Sequence, residues 1–200
     1  MNGLFSFLAK GGMIVWPILF CSVLGLAIIL ERLFVFRKIN KEIPPVEKIK
    51  ATSLNDLVHF PGPLGEMARE IKPVCCADRE LLESILGHII NCEVSRASRY
   101  LGLLSTLASI APLLGLLGTV TGLIKAFMVV EQAGGKVNAS MLAGGIWEAM
   151  LTTAVGLSVA VPLIVAHRFL ISYVRRYEET LERMAVIILK KIYTNGQEYA

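Results

Sequence analysis

The sequence has few charged residues, and long parts of it have none. Charged side chains make up 18% of the 200 residues and aromatic ones 8%, whereas hydrophobic residues reach 54%. The mean hydropathy of +0.63 lies well above the value of typical globular domains. The apolar residues are gathered in long runs instead of recurring at amphipathic spacing. We therefore expect an integral membrane protein and not an ordinary soluble domain.

Patterns typical of enzymes and of nucleic-acid-binding proteins are missing. The segment GLLGT lies inside an apolar run and not in a nucleotide-binding loop, and no catalytic triad or paired carboxylate is evident. No patch of basic and aromatic residues is present, so we expect no nucleic-acid partner. Cys21 lies in an apolar run and Cys75, Cys76 and Cys92 in a polar region, which disfavours disulfides. Together with His88 they match no standard zinc spacing, so we expect no metal and no cofactor.

Three apolar runs are long enough to cross a membrane. Residues 11–30 and 101–124 contain no charged side chain, and residues 141–166 contain one, Glu148. A membrane-spanning helix needs roughly 20 such residues. The first run lacks a basic segment before it, and Glu31 and Arg32 follow where a signal peptide would have small residues. We therefore predict three retained transmembrane helices.

The second and third helices are predicted to continue well beyond the membrane. After Asp78, a suitable N-cap, apolar residues recur at steps of three and four: Leu81, Leu82, Ile85, Leu86, Ile89 and Ile90. No proline follows before Pro112, so we expect one continuous helix over about residues 78–130, roughly 80 Å long at 1.5 Å per residue. The third helix is expected to continue to about Tyr193.

The distribution of basic residues predicts the orientation. Lys10, Lys125 and Lys136 fall on one side of a three-span arrangement, and the other 17 of the 20 basic residues fall on the opposite side, in 31–100 and 167–200. The side richer in lysine and arginine is cytoplasmic. The N-terminus is therefore expected outside and the C-terminal tail in the cytoplasm.

This orientation divides the chain into four parts. Residues 1–36 hold the outer N-terminal segment and the first spanning helix, and residues 37–100 form a cytoplasmic helical region. Residues 101–170 hold the second and third spanning helices, joined by a short outer loop at 131–140, and residues 171–200 form a cytoplasmic C-terminal helix. The sequence contains no internal repeat and no low-complexity tract.

Small residues form a stripe along each of the last two spanning helices. The stripe of the second helix consists of Ser105, Ala108, Pro112, Gly115, Thr119, Gly122 and Ala126. Its opposite face carries Leu103, Leu107, Leu114 and Leu117. The stripe of the third helix consists of Gly145, Ala149, Thr152, Gly156 and Ala160. Such stripes let membrane helices approach closely. The alternative interpretation is that they line a narrow lumen holding water or another helix.

Glu148 is the candidate functional residue. A charge at the bilayer centre costs roughly 2.5–3.5 kcal/mol on insertion scales, so its presence calls for a reason. It borders the small stripe, one turn from Thr152, and Thr119 lies on the stripe of the other helix. A carboxyl group beside hydroxyls in a dry lumen is suited to carrying protons. The alternative is a glutamate that hydrogen-bonds across helices for assembly. Lys125 and Lys136 are the candidate basic partners, and Lys125 is interpreted as a lysine that snorkels to the interface.

Two segments resemble the MotA/TolQ/ExbB proton-channel family: APLLGLLGTVTGLIKAF at 111–127 and GGIWEAMLTTAVGL at 144–157. The resemblance is greatest to the ExbB/TolQ branch, since MotA has four spans, and it includes GGMIVWPILFCSVLGLAIILERL and PLGEMAREI. It implies an all-α membrane protein with three long transmembrane helices extending into the cytoplasm. It further implies a homo-pentamer around a pair of single-span ExbD/TolR-type helices, with 101–170 as the proton-channel domain.

The resemblance also implies a function, which is not enzymatic. Proton entry protonates an aspartate on the partner helix, and the resulting motion powers work at the cell envelope from the bacterial inner membrane. That work is ExbB-like support of TonB-dependent outer-membrane import or TolQ-like envelope maintenance, with a TonB/TolA-type protein as a further partner. By motif match, Glu148 is the family's intramembrane glutamate, and Thr119 and Thr153 are its lumen threonines. Helical position favours Thr152 over Thr153.

Two functions of other classes remain as alternatives. A structural membrane scaffold would use the small stripes for packing alone and would not need Glu148. A solute transporter would usually have more spans and an internal repeat, and neither is seen.

Overall fold

The computed structural model describes residues 12–74, 78–132 and 139–196, and within these ranges every regular element is a helix and none is a strand. Seven α-helices follow one another: α1 Val15–Glu42, α2 Val46–Ala51, α3 Leu54–Leu57, α4 Pro63–Ile71, α5 Arg79–Ser98, α6 Leu101–Gln132 and α7 Ala139–Gly196. A 3₁₀ turn at Lys72–Val74 follows α4. Most of the predicted outer loop at 131–140, and Cys75 and Cys76, lie outside the described residues.

Three segments of the described chain are helical, long and apolar enough to cross a membrane. They lie in α1, α6 and α7. This confirms the three predicted spans. The expectation that the third helix continues to about Tyr193 is also confirmed, because α7 ends at Gly196. Pro112 and Pro162 lie inside α6 and α7 without ending them. Prolines are tolerated in membrane helices because neighbouring groups satisfy the freed carbonyls.

The contacts divide the chain into two compact units. One, which we call the membrane unit, comprises Met1–Leu30 and Tyr100–Phe169. The other, which we call the second unit, comprises Glu31–Arg99 and Leu170–Ala200. The long helices α1 and α7 therefore each contribute to both.

Close approach of backbones holds α6 and α7 together in the membrane unit. A Cβ placed on Gly156 would lie 2.8 Å from the Ala111 carbonyl oxygen, and one on Gly145 would lie 2.8 Å from the Ala126 Cβ. The buried face of α6 consists of Leu101, Leu104, Leu107, Ala108, Ala111, Gly115, Gly118, Gly122 and Ala126. With glycines at the crossing points, the contact is made by main chain and methyl groups.

This buried face differs in part from the predicted stripe. Ala108, Gly115, Gly122 and Ala126 are buried, whereas Ser105, Pro112 and Thr119 are only half-buried at its border. The placement of Leu107 on the opposite face is wrong, since this side chain is buried. The contact face includes Leu104, Ala111 and Gly118 instead, so it is rotated by part of a turn from the stripe of small residues alone.

In the second unit, the amphipathic helix α4 and helix α5 pack with the ends of α1 and α7. Apolar side chains fill its interior, among them Met67, Leu82, Leu86, Leu181, Met184 and Ile188. The Phe36 and Tyr173 rings stack with centroids 4.4 Å apart, and the Tyr177 hydroxyl donates to a Glu93 carboxylate oxygen at 3.2 Å. Asp78 is the N-cap of α5, as predicted, and its carboxylate accepts from the Arg79 amide at 2.7 Å.

The prediction of one continuous helix over 78–130 is wrong. Helix α5 ends at Ser98, Arg99 is extended (φ −52°, ψ 137°), and Tyr100 has a φ of 66° before α6 begins. A left-handed residue other than glycine costs roughly 1–2 kcal/mol, so something must favour the break.

Arg32 compensates for this break by donating to the end of α5. Its Nη1 donates to the carbonyl oxygens of Arg96 at 2.9 Å and Ala97 at 3.3 Å. In an uninterrupted helix these two carbonyls would accept from the amides of Tyr100 and Leu101. A guanidinium at the C-terminal end of α5 also interacts favourably with the helix dipole. The contact joins residues 64 and 65 positions apart, which local sequence rules do not reveal.

Candidate functional site

Glu148 on α7 and Lys125 on α6 form an ion pair inside the membrane unit. The Lys125 Nζ lies 2.7 Å from the Glu148 Oε1. The Glu148 side chain is 25% exposed and the Lys125 side chain 58%. Of the two candidate basic partners, Lys125 forms the pair, and Lys136 lies outside the described residues. The preferred interpretation of Lys125 as an interface lysine is therefore wrong, because its ammonium group contacts the carboxylate.

The helix contact itself sets the distance between these two side chains. A Cβ on Gly122 would lie 2.8 Å from the Ala149 Cβ, and Gly145 meets Ala126 at the same separation. Lys125 and Glu148 are each flanked by these contacts, so their backbones are held close and in fixed register. An ion pair across this interface follows from glycine and alanine at the crossing.

The two candidate threonines of α7 have different partners. Thr152 is 1% exposed, and its hydroxyl is within hydrogen-bond reach of the carbonyls of Ala149 at 2.8 Å and Glu148 at 3.2 Å. It packs against Gly118 of α6, where any side chain would collide with it. Thr153 is half-buried, and its hydroxyl donates across the interface to the Gly115 carbonyl at 2.8 Å. Thr152 thus lies on the same side of α7 as Glu148, one turn along.

Thr119 lies apart from the ion pair. Its hydroxyl donates to the Leu116 carbonyl of its own helix at 2.6 Å. The threonine of α6 near Glu148 is Thr121, whose hydroxyl reaches the carbonyls of Leu117 at 3.0 Å and Gly118 at 3.1 Å. Sequence reasoning missed Thr121, although its position one turn before Lys125 could have indicated it.

A cavity of about 340 Å³ adjoins the ion pair and lies wholly within the membrane unit. Its lining residues are Met13, Ile14, Gly118, Thr121, Lys125, Glu148 and Thr152. Gly12, which precedes α1, has a φ of 70°, and a Cβ there would collide with the Glu148 Oε1. The cavity can hold several water molecules, and its polar groups provide the partners that ordered water needs.

This arrangement is suited to proton handling. A carboxylate can accept and release a proton, and water beside the Thr121 and Thr152 hydroxyls can pass it on. Ionisable groups inside spans are typical of ion and proton pathways, and they face cavities or partner charges. Among the described residues no group of three or more His, Cys, Asp or Glu side chains could hold a metal ion. The Cys92 Sγ lies 3.7 Å from the His88 Nε2, but among those residues no third side chain completes a metal-binding group with them.

Comparison with known proteins agrees with this chemistry. The profile of the MotA/TolQ/ExbB proton channel family matches residues 58–183. The biopolymer transport protein exbB1 of Vibrio cholerae is 30% identical over 185 residues, which cover 86% of this chain and 80% of that protein. A putative ExbB-like biopolymer transport protein of Synechocystis is 34% identical over 82% of this chain and 68% of its own length.

A relative from the Tol branch matches a shorter stretch. The Tol-Pal system protein TolQ of Haemophilus influenzae is 37% identical over 90 residues, which cover 45% of this chain and 39% of that protein. The matched family region contains α6, and it contains α7 as far as residue 183. It therefore includes every residue of the ion pair and its two neighbouring threonines. The chain belongs to the MotA/TolQ/ExbB proton channel family.

Proposed function

We propose that this chain is the proton-channel subunit of an inner-membrane complex that uses the proton motive force to drive work at the cell envelope. The observation that carries the proposal is Glu148: a carboxylate inside a spanning helix, beside a cavity of about 340 Å³ and two hydroxyls. Membership of a proton-channel family supports it. The work is ExbB-like support of outer-membrane import or TolQ-like envelope maintenance, with a TonB/TolA-type protein as a further partner.

The proposed assembly is a homo-pentamer around a pair of ExbD/TolR-type spanning helices. Large apolar side chains of α6 point away from its contact with α7, and they suit lipid or a neighbouring subunit: Leu113, Leu116, Val120, Leu123 and Phe127. In this proposal the proton pathway includes Glu148, Thr152 and Thr121, which line the cavity. Thr153 and Thr119, which the family resemblance assigns to the lumen, extend it beyond the cavity. Gly115, Gly122, Gly145 and Gly156 hold the helices together.

Substitution of Glu148 tests the proton role. Glu148→Gln keeps the shape and hydrogen bonding of the side chain but cannot titrate, so we expect proton uptake by vesicles to be lost. The complex should still form, because the half-exposed Lys125 ammonium can then turn to water. Glu148→Asp can titrate but is shorter by one methylene, so partial uptake is expected.

The scaffold alternative predicts the opposite order. If Glu148 serves only packing, the glutamine can still bond across helices without the cost of a charge in the membrane. A fully active Glu148→Gln complex would show that the carboxyl group is structural and would move the proton role to the partner's carboxylate and Thr119. Native mass spectrometry of each variant separates loss of proton uptake from loss of assembly.

The proposed orientation, with the N-terminus in the periplasm, has its own test. A cysteine introduced at Gly135 should react with a membrane-impermeant maleimide added to intact cells, because this position lies in the proposed outer loop. The native Cys75 and Cys76 should react only after the membrane is opened. Labelling of either native cysteine in intact cells would contradict the three-span orientation.

A further inference from the structure

Lys125 is the unexplained residue of the site. It lies in a helix whose preceding 24 residues, 101–124, are uncharged. Its ion pair with Glu148 joins residues 23 positions apart on two different helices. Three other ion pairs of the described chain join residues only one, three or four positions apart. The Lys125–Glu148 pair is therefore set by tertiary structure and not by helical spacing.

The two members of the pair differ in their access to the surroundings. The carboxylate is the more buried member, and the start of α1 approaches it closely at Gly12. The lysine is more than half exposed. Removing Lys125 leaves the mostly buried Glu148 carboxylate without its counter-charge.

We propose that Lys125 is the resident counter-ion of Glu148 and a positioning residue of the proton pathway. Between the release of one proton and the uptake of the next, Lys125 compensates the negative charge of the carboxylate and directs a carboxylate oxygen to the cavity. This inference rests on the proposed function, because it gives Lys125 a role only if Glu148 carries protons.

The proposed cycle balances in protons and charge. A hydrated proton from the cavity forms an O–H bond with a Glu148 oxygen, and the donating water is left neutral. The ion pair becomes a hydrogen bond to a neutral acid, so it weakens, while Lys125 keeps its own proton. When Glu148 passes its proton to the next acceptor, a water or a carboxylate, the O–H bond breaks and the ion pair forms again.

The surroundings of the pair contain no competing charge among the described residues that line the cavity. From α1, Met13 and Ile14 are apolar. From α6 and α7, Thr121 and Thr152 are neutral hydroxyl groups. Lys125 is therefore the one cation of this lining that can compensate Glu148.

The test compares two substitutions of Lys125 in the complete complex reconstituted in vesicles. Lys125→Met removes the charge and keeps the length, and we expect proton uptake to fall roughly tenfold or more, in line with an uncompensated carboxylate. Lys125→Arg keeps the charge and can still reach the carboxylate, so we expect at least a third of the uptake to remain. Lys38→Met serves as the control, because it removes an exposed lysine of the second unit that does not line the cavity, and its uptake should be unchanged.

Each outcome decides for or against the counter-ion role. Loss with methionine and rescue with arginine, in complexes of normal size, supports it, because a purely structural lysine would not be rescued by charge alone. Wild-type uptake with Lys125→Met overturns it, and so does equal loss with both substitutions. If Lys125→Met fails to assemble, Lys125→Gln gives the same comparison with a neutral polar side chain.

The Glu148→Gln complex, measured beside these variants, separates the two proposals. If it is inactive while Lys125→Met behaves as wild type, the proton role of Glu148 stands and only the counter-ion role fails. If it is fully active, the proton role itself fails.

Discussion

Gly156→Leu should prevent the membrane unit from folding stably. A Cβ at this position would lie 2.8 Å from the Ala111 carbonyl oxygen and 3.0 Å from the Gly115 Cα, so a leucine would face main chain that cannot rotate away. Overpacking of a well-packed interior usually costs roughly 1–3 kcal/mol, and a collision with backbone should reach or exceed the upper end. Gly122→Leu, which faces Ala149, should behave alike. The measurement is thermal unfolding of the purified protein in detergent.

The same two helices offer matched controls for this prediction. A Cβ on Gly102 of α6 or on Gly144 of α7 would meet nothing within 4 Å. Gly102→Leu and Gly144→Leu add the same side chain to the same helices, so their unfolding temperature should stay close to that of the wild type. Equal destabilisation by all four substitutions would show that leucine is unfavourable in these helices in general, and the assigned contact face would then be wrong.

Arg32→Met should destabilise the second unit by about 2–3 kcal/mol, since it removes a charged donor from two carbonyls and leaves the buried Ala97 carbonyl without this hydrogen bond. The Arg32 side chain is 5% exposed, and it donates to Arg96 and Ala97 at the end of α5. Methionine fills a similar volume but donates no hydrogen bond. Arg32→Lys keeps the charge without the planar fork of donors, so an intermediate loss is expected. Differential scanning fluorimetry of the detergent-solubilised protein measures the shift.

Arg79 provides the matched control for Arg32. It also forms an ion pair, with Glu83 at 2.7 Å, but its side chain is 73% exposed. Exposed ion pairs one helical turn apart contribute little to stability, so Arg79→Met should leave the unfolding temperature unchanged. A shift as large as that of Arg32→Met would mean that the loss of any arginine charge matters. The role assigned to the α5 carbonyls would then be contradicted.

The long elements of the fold follow from sequence, because uncharged runs of spanning length leave few alternatives to helices. The end of α5 does not follow in the same way. No glycine or proline marks Arg99 or Tyr100, and the residue that accompanies the break, Arg32, lies in another helix. Apolar periodicity predicts that a helix exists. It does not reveal that a side chain from another helix donates hydrogen bonds to two of its carbonyls.

The candidate site, like the fold, could be predicted from the sequence only in part. Glu148 stands out in the sequence because it is the single charge of its run. Its partner is less evident: Lys125 and Lys136 are both candidates in the sequence, and the choice between them depends on the rotation and register of α7 against α6. The small stripe predicted part of that contact, but its centre was misjudged, with Leu107 placed on the wrong face and Gly118 left out. Thr121 was missed for this reason, since the rotated contact face brings Thr121 to the cavity, whereas Thr119 does not line it.

The glycine-lined contact between α6 and α7 has a consequence for inheritance. All glycine codons begin with two guanines, and any base is accepted in the third position. Every nucleotide change that replaces the amino acid therefore adds at least a Cβ. At Gly122, Gly145 and Gly156 that atom would lie 2.8 Å from a neighbouring atom. We expect lineages carrying this gene to show silent third-base changes at these codons and almost no others.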